Sequence, residues 1–410
     1  MTKRIKVLGM GDSPLISTGY ANQSRQIFEH LGAKPNKWEP HFHAWHYQGQ
    51  PIKNATFMDG EVLNFTLYPG GVHPWGRDMI QKYINQLKPD IWWCTSDSFM
   101  LNQARPFGPI DPWITKVNFS PAKSVFWFPS DGTPFPKSCD IVLRKMDYPI
   151  AYSKFAQEQV KKEFNIDTGY IPLMTNVNKF FKMKNKALLR ARWSKRIHDS
   201  NNKPVNLIGK KIVLCVARNQ GRKMLDRMVK LIIQYPDKNT ILLFKSHPQD
   251  PASAGVDLMN LARHYGVADR VCWVYSEWFG GFTSTEMREI YNLADVFALT
   301  TSGEGWGIPF CEAMATELPI LATDFTTPRE IVDGDERQLI KLATTLTGTF
   351  DVERGLADID DFAKKLEFLM SDEQVRKDIG RSNRQKLIKE YDSKVVLKQW
   401  EDLFERIVHE

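Results

Sequence analysis

The chain has 410 residues, 42% of them hydrophobic and 25% charged. That length suits two or three domains with proper cores, and the balance excludes a disordered, collagen-like or disulfide-scaffold chain. The five cysteines, Cys94, Cys139, Cys215, Cys272 and Cys311, are scattered with no C-x-x-C pair. They indicate neither zinc nor redox chemistry and read as small apolar side chains in a reducing compartment. No run approaches the roughly 20 apolar residues of a membrane span, so the expectation is a soluble, cytoplasmic protein. The net charge of +7 is uneven. Residues 181–234 hold 15 basic and 2 acidic residues, whereas residues 235–410 carry a net −11. The basic stretch reads either as a solvated helix and linker or as a surface for phosphate, nucleic acid or anionic membrane.

Ile5–Leu8 reads as a first buried strand, because Asp12 and Pro14 interrupt the apolar run before it resembles a signal peptide. Gly9, Gly11, Pro14 and Gly19 mark a loop, and Ala21–Leu31 has helical periodicity. Further strands are read at Asp90–Cys94, Ser124–Phe128 and Pro149–Tyr152, with helices near Arg77–Leu87 and over Lys154–Phe164. Residues 181–204, basic and polar, read as an interdomain connection. A second strand series follows at Lys211–Val216, Thr240–Phe244, Val271–Val274, Val296–Leu299 and Pro319–Ala322. The end of the chain, from about Phe362 to His409, reads as helical. Short apolar strands alternating with helices predict α/β domains with mostly parallel sheets, which bind ligands at the carboxyl ends of their strands.

The most informative stretch runs from Thr300 through Gly303, Glu304, Gly305, Trp306, Gly307 and Ile308 to Glu312. A strand end, a glycine-rich turn and a helix opening at Pro309 present free amides to sugar or phosphate oxygens. Glu304 and Glu312, eight positions apart, are ordinary surface acids if taken alone. Their setting resembles the E-x7-E signature of retaining glycosyltransferases of the GT-B fold, glycosyltransferase family 4 in particular. Leu318–Asp324 and Pro328–Val332 also match the usual continuation in that family. The resemblance implies that Glu304 contacts donor-sugar hydroxyls, that Glu312 accepts from the nucleotide ribose, and that Gly305, Trp306, Gly307 and Ile308 line the donor site. Trp306 stands where Phe is commoner. Val216–Asp226 resembles the family's Gly-Arg-Asn-x-x-x-Lys turn, with Ala217 for the glycine, which puts Arg218 and Lys223 on the donor diphosphate. Two fixed cations suit a leaving group on which negative charge builds.

The loop Asp12–Asn22 resembles the family's N-terminal glycine loop, with Gly19 closest to the donor. Tyr170–Phe180 resembles the hinge, although Met174 and Asn178 depart from its pattern. Family members often carry a histidine near the acceptor. Here the corresponding strand ends offer Asp97 and Asp131, each read either as an acceptor-orienting carboxylate or as an Asx-turn or helix cap. Lys245 and His247 follow a strand on the donor side. His41, His43 and His46 lack a carboxylate or cysteine partner at ligand spacing and read as strand and loop residues, with no metal expected.

The resemblance implies two Rossmann-like doubly wound domains facing a central cleft: an acceptor domain over 1–180 and a donor domain over 205–392. A terminal helix, about 393–410, would pack back on the first domain. It implies a retaining, metal-independent hexosyltransferase that needs no cofactor beyond a UDP- or GDP-sugar as donor. The acceptor reads as a polysaccharide or lipid-linked glycan. A second reading keeps the chemistry but places it on hydroxymethylpyrimidine DNA, gripped by the basic segment 181–234, with Trp45, Trp92, Trp93, Trp113 and Trp127 available to hold an extruded base. A non-catalytic sugar-nucleotide-binding protein and an epimerase of the same fold complete the alternatives.

Overall fold

A computed structural model of the chain describes residues 3–57, 60–103, 109–250, 253, 255–274 and 281–410. Short apolar runs form its strands, and the amphipathic stretches between them form helices that cover the sheets. Two units result. The first comprises Met1–Met174, Thr349–Val352 and Ser393–Glu410, the second Thr175–Gly348 and Glu353–Asp392.

In the first unit the chain runs β1 (Ile5–Asp12), α1 (Gly19–Gly32), β2 (Trp38–Trp45), β3 (Ile52–Lys53), β4 (Thr66–Pro69), α2 (Ile80–Leu87) and β5 (Ile91–Thr95). It continues through α3 (Ser98–Asn102), β6 (Lys123–Phe128), α4 (Asp140–Lys145), β7 (Tyr148–Ala151), α5 (Lys154–Phe164) and β8 (Gly169–Tyr170). The strand order is β3-β4-β2-β1-β5-β6-β7-β8, parallel except for β3 against β4. The chain winds outward from β1 on one side and then restarts at β5 on the other. The loops after β1 and β5 therefore flank a topological switch point, where open α/β sheets leave a crevice for ligands.

The second unit runs α6 (Lys186–Trp193), β9 (Ile197–Asp199), β10 (Lys211–Val216), α7 (Leu225–Gln234), β11 (Thr240–Lys245), α8 (Leu258–His264), β12 (Val271–Val274), α9 (Ser284–Leu293) and β13 (Val296–Leu299). Then come α10 (Ile308–Ala315), β14 (Ile320–Thr323), α11 (Pro328–Ile331), β15 (Leu339–Ile340), β16 (Leu342–Thr347), β17 (Glu353–Ala357), α12 (Ile359–Ser371) and α13 (Glu373–Glu390). Its main sheet is ordered β15-β14-β13-β10-β11-β12-β9, parallel apart from β9. Its switch point lies between β10 and β13. The chain ends in α14 (Ser393–His409), which belongs to the first unit.

Residues 181–204, read as a connection, are largely ordered structure of the second unit. Leu189 and Trp193 of α6 are buried, and β9 extends the sheet edge against β12. The high charge of this stretch hid its packing. Most of its cations face acids supplied by the rest of the unit. Lys182 meets Glu317, Lys186 and Arg190 meet Asp295, Arg192 meets Glu289, and Arg196 meets Glu286. Lys211 meets Asp237, and Arg218 meets Asp250. These seven of the segment's fifteen cations are thus paired with acids from the acidic half of the chain. Trp45, Trp92, Trp93, Trp113 and Trp127 are all buried, so none of them is available to stack an extruded base. The DNA reading is therefore not favoured.

Candidate functional site

The second unit's switch point is built by the loops after β10 and β13. The turn after β10 is clamped by the end of β13. Thr300 Oγ1 donates to Met224 O at 2.8 Å, and Ser302 donates to Arg222 O from both its amide, at 2.8 Å, and its hydroxyl, at 2.9 Å. Met224 takes a left-handed φ of 48° to close that turn and open α7. The clamp sets Arg222 and Lys223 beside the glycine-rich turn. Lys223 Nζ donates to Glu304 Oε1. Arg222 Nη1 lies 3.3 Å from Glu304 Oε2 and 2.8 Å from Gly303 O. From the far side the turn is braced by the loop after β14. Thr326 Oγ1 accepts from Glu304 N at 3.0 Å, and Thr327 Oγ1 donates to Trp306 O at 2.6 Å.

Glu304 is only 4% exposed. Burial alone would raise its pKa, but the charges of Lys223 and Arg222 overcome that and hold the carboxyl at about 2. It is a fixed anion at physiological pH. Gly307 has a φ of 104°, and a Cβ there would lie 2.5 Å from the Phe310 ring, so this position needs glycine. The bend it allows opens α10 at Ile308, which is partly exposed and presents the helix N-terminus. The Trp306 side chain instead turns inward, 3% exposed and edge-on to Tyr391 at 5.0 Å.

On the first turns of α10 stands Glu312. The Tyr291 hydroxyl donates to its Oε2 at 2.6 Å, and Lys245, at the end of β11, is close enough to act on its charge. Burial pushes Glu312 up to about 7, against the opposing pull of Tyr291 and Lys245. Burial also lowers Lys245, while Glu312 opposes it. The two partners have each lost more hydration than they recover from the other. Such a pair is set to gain from a ligand that hydrogen-bonds the charged forms.

The stability consequence has a definite sign. Glu312 has a folded pKa of about 7 against an ordinary 4.5, so between those values the folded chain holds the extra proton. Stability from this group is full below about pH 4.5 and is lost as pH rises to 7. Glu304, depressed to about 2, contributes stability that is present above 4.5 and is lost as pH falls toward 2. Glu312→Gln removes the neutral-side penalty. It is expected to stabilise the second unit by roughly 3 kcal/mol at pH 8, and by much less at pH 4.5. Chemical denaturation at the two pH values measures the difference.

Not every sequence candidate joins this group. Arg218 is exposed and donates to Asp250 at 2.6 Å, away from the Lys223–Glu304 contact. Arg222, which the sequence reading did not single out, lies beside Glu304. Two cations stand four residues apart in that turn, and spacing alone does not say which one the loop folds inward. His247 is exposed, with Nδ1 3.2 Å from Gln249 N. Thr326, Thr327 and Tyr291 carried no motif signal and were missed.

In the first unit, Gly19 is exposed and is the first residue of α1. Thr18 caps that helix by accepting from Ala21 N at 3.1 Å and donates to Asp12 Oδ2 at 2.6 Å. Asp97 holds the N-cap position of α3 without a capping side-chain bond. It instead hydrogen-bonds Tyr20, whose phenol is pushed well up by burial first and by Asp97 next, with Asp131 also acting on it. Tyr152 hydrogen-bonds Thr95 and lies edge-on to Tyr20 at 6.3 Å. Asp97 and Asp131 both act on the Tyr20 phenol, and Asp97 acts on that of Tyr152 as well; neither tyrosine carried a signal of its own. His41 and His43 lie in β2, beside Glu39 and Gly70 O respectively, with His46 just beyond the strand end.

Residues 198–386 match the family model described as glycosyl transferases group 1. The capsular polysaccharide biosynthesis glycosyltransferase CapM of Staphylococcus aureus is 31% identical over 120 residues, 29% of this chain and 28% of that protein. The lipopolysaccharide core biosynthesis mannosyltransferase LpsB of Rhizobium meliloti is 29% identical over 155 residues, 36% of this chain and 42% of that protein. The matches span less than half the length of these relatives. Among solved structures, sucrose-phosphate synthase of Thermosynechococcus elongatus superposes with a TM-score of 0.77 at 15% identity, over 98% of this chain and 99% of that one. Anabaena HepE in complex with UDP and glucose superposes with a TM-score of 0.72 at 12% identity, over 98% and 100%. The fold is that of the GT-B glycosyltransferases, with two Rossmann-like parallel-sheet units. The family model and the curated relatives to which the chain is similar are all glycosyltransferases.

Proposed function

We propose that the chain is a retaining glycosyltransferase, independent of metal, which moves a hexose from a UDP- or GDP-sugar to a glycan hydroxyl. The observation that carries this reading is the buried anion Glu304, held between Lys223 and Arg222 at the second unit's switch point. We assign donor binding to that unit. Lys223 and Arg222 supply positive charge for the diphosphate, Glu304 the sugar hydroxyls, and Glu312 the ribose. The first unit, with Asp97 and Asp131, takes the acceptor. The acceptor oxygen attacks the anomeric carbon from the face that the diphosphate leaves. Its proton passes to the departing phosphate oxygen, so the anomeric configuration is kept. Two cations beside the leaving group stabilise the developing charge with no metal in the scheme.

HepE, solved with UDP and glucose, supports a nucleotide-sugar donor, and the curated relatives' roles in capsule and lipopolysaccharide synthesis support a glycan acceptor. A non-catalytic binding protein is disfavoured by the intact cation–carboxylate set. A screen of UDP-, GDP- and ADP-glucose by thermal shift and slow hydrolysis tests the reading. One donor is expected to stabilise the wild type and release nucleotide, and to do neither with Glu304→Ala. If no donor shifts the wild type, the reading fails.

A further inference from the structure

Tyr291 lies on α9, one helix before the glycine-rich turn, in a segment with no motif of its own. It is fully buried. Its ring packs edge-on to Phe180 at 6.1 Å and tilted against Phe297 at 5.9 Å. A tyrosine buried that deeply needs a partner for its hydroxyl, and the partner is Glu312 Oε2 at 2.6 Å. Phenylalanine would fill the same ring site without a polar group to satisfy. The hydroxyl therefore acts on Glu312.

A carboxylate has two oxygens with about four lone-pair directions. Tyr291 occupies one direction on one oxygen and fixes the plane of the group. The other oxygen is left to a ligand, in a fixed direction. Among the described residues, the groups facing this pair are Lys245 from the end of β11, Cys311 on α10 itself, and Cys215 from β10 beside the Tyr291 phenol. Burial holds both thiols well above their usual range, so they remain neutral, and Lys245 is the cation that acts on Glu312 among the described residues.

We infer that Tyr291 is a positioning residue for the donor site: its phenol orients Glu312 and favours the carboxylate form that accepts from a ribose hydroxyl. The inference rests on the donor reading above. A charge-assisted acceptor is roughly twice as strong as a neutral one, so donor affinity should rise as pH passes through about 7, where Glu312 ionises. Without the Tyr291 bond the proton leaves later, and that rise moves to higher pH.

The experiment is calorimetric titration of UDP-, GDP- and ADP-glucose from pH 6 to 9 with the full chain. The diphosphate of these probes is a diester whose charge is constant over this range. Wild type should show a midpoint near 7. In Tyr291→Phe the midpoint should rise by about one pH unit, and affinity at pH 7 should fall about tenfold, while hydrolysis at saturating donor changes less than twofold. Glu312→Gln should be flat with pH. A fluorinated tyrosine at 291, a stronger donor of the same shape, should shift the midpoint downward, and it covers the case in which Tyr291→Phe folds poorly. If Glu312→Gln loses affinity but Tyr291→Phe and the fluorinated tyrosine leave the midpoint unmoved, Tyr291 is mere packing and the inference is overturned. If Glu312→Gln binds as well as wild type with the same pH profile, the donor role of Glu312 fails, and this inference falls with it.

Discussion

Lys223→Ala is expected to lower kcat by two to three orders of magnitude, with a smaller change in donor affinity. Fixed charges aimed at a developing anion are worth about 3–4 kcal/mol in the transition state. Lys223 is the best placed of the three cations after β10, with 12% of its side chain exposed, against 32% for Arg222 and 54% for Arg218. Low exposure strengthens its field on a neighbouring phosphate. Arg218→Ala should therefore cost less, since Arg218 is engaged by Asp250 and screened by water. The order expected is Lys223→Ala, then Arg222→Ala, then Arg218→Ala, read from kcat at saturating donor.

A loss of activity in Lys223→Ala has a competing explanation, because removing one partner leaves the buried Glu304 charge half-paired. Breaking a buried pair costs several kcal/mol. The double variant Lys223→Met with Glu304→Gln removes both charges and should recover much of that stability without recovering turnover. Recovered turnover in the double variant would mean that Lys223 serves only to neutralise Glu304.

How much of this was legible in the sequence follows from where the signal lies. The strands at Lys211–Val216, Val271–Val274 and Val296–Leu299 are uninterrupted apolar runs, because parallel strands are buried on both faces, and they were read to the residue. The helix Lys154–Phe164 is announced by Ser153, which caps it by accepting from Ala156 N. The hairpin β16–β17 was missed. Its first strand is Thr-rich and mostly exposed, so it shows no apolar alternation. The α6–β9 stretch was missed for the opposite reason. Its cations look solvated until their acidic partners are known, and those lie about 90 to 135 positions further along the chain. The glycine-rich turn was legible because Gly307 must adopt a positive φ and Pro309 must open a helix. Tyr20 and Tyr291 were not, because a tyrosine that hydrogen-bonds a carboxylate has the same local pattern as one that only packs.

The last helix carries the other large effect. Trp400→Ala on α14 is expected to destabilise the first unit by about 3–5 kcal/mol, as large aromatic truncations in cores do. The side chain is 1% exposed. It sits 5.0 Å from Trp127, 5.8 Å from Trp93 and 5.5 Å from Phe404, ring centre to ring centre. Two rigid indoles and a phenyl ring cannot collapse into the space that a third indole leaves, so the cavity cost stays near the upper end. Next to it Glu401 accepts from Lys34 at 2.5 Å and lies 3.1 Å from His30. Burial opposes ionisation of that carboxyl, yet the Lys34 and His30 bonds hold it at about 2. Its contribution is therefore present above about pH 4.5 and fades as pH falls toward 2, so the hold on α14 should loosen in acid. Because α14 belongs to the first unit, Trp400→Ala should move one melting transition down by roughly 10 °C and leave the second unit's transition and its response to donor in place. Calorimetry with and without UDP-glucose reads both transitions. A uniform fall of both would mean that the two units do not unfold independently and that α14 stabilises the whole chain.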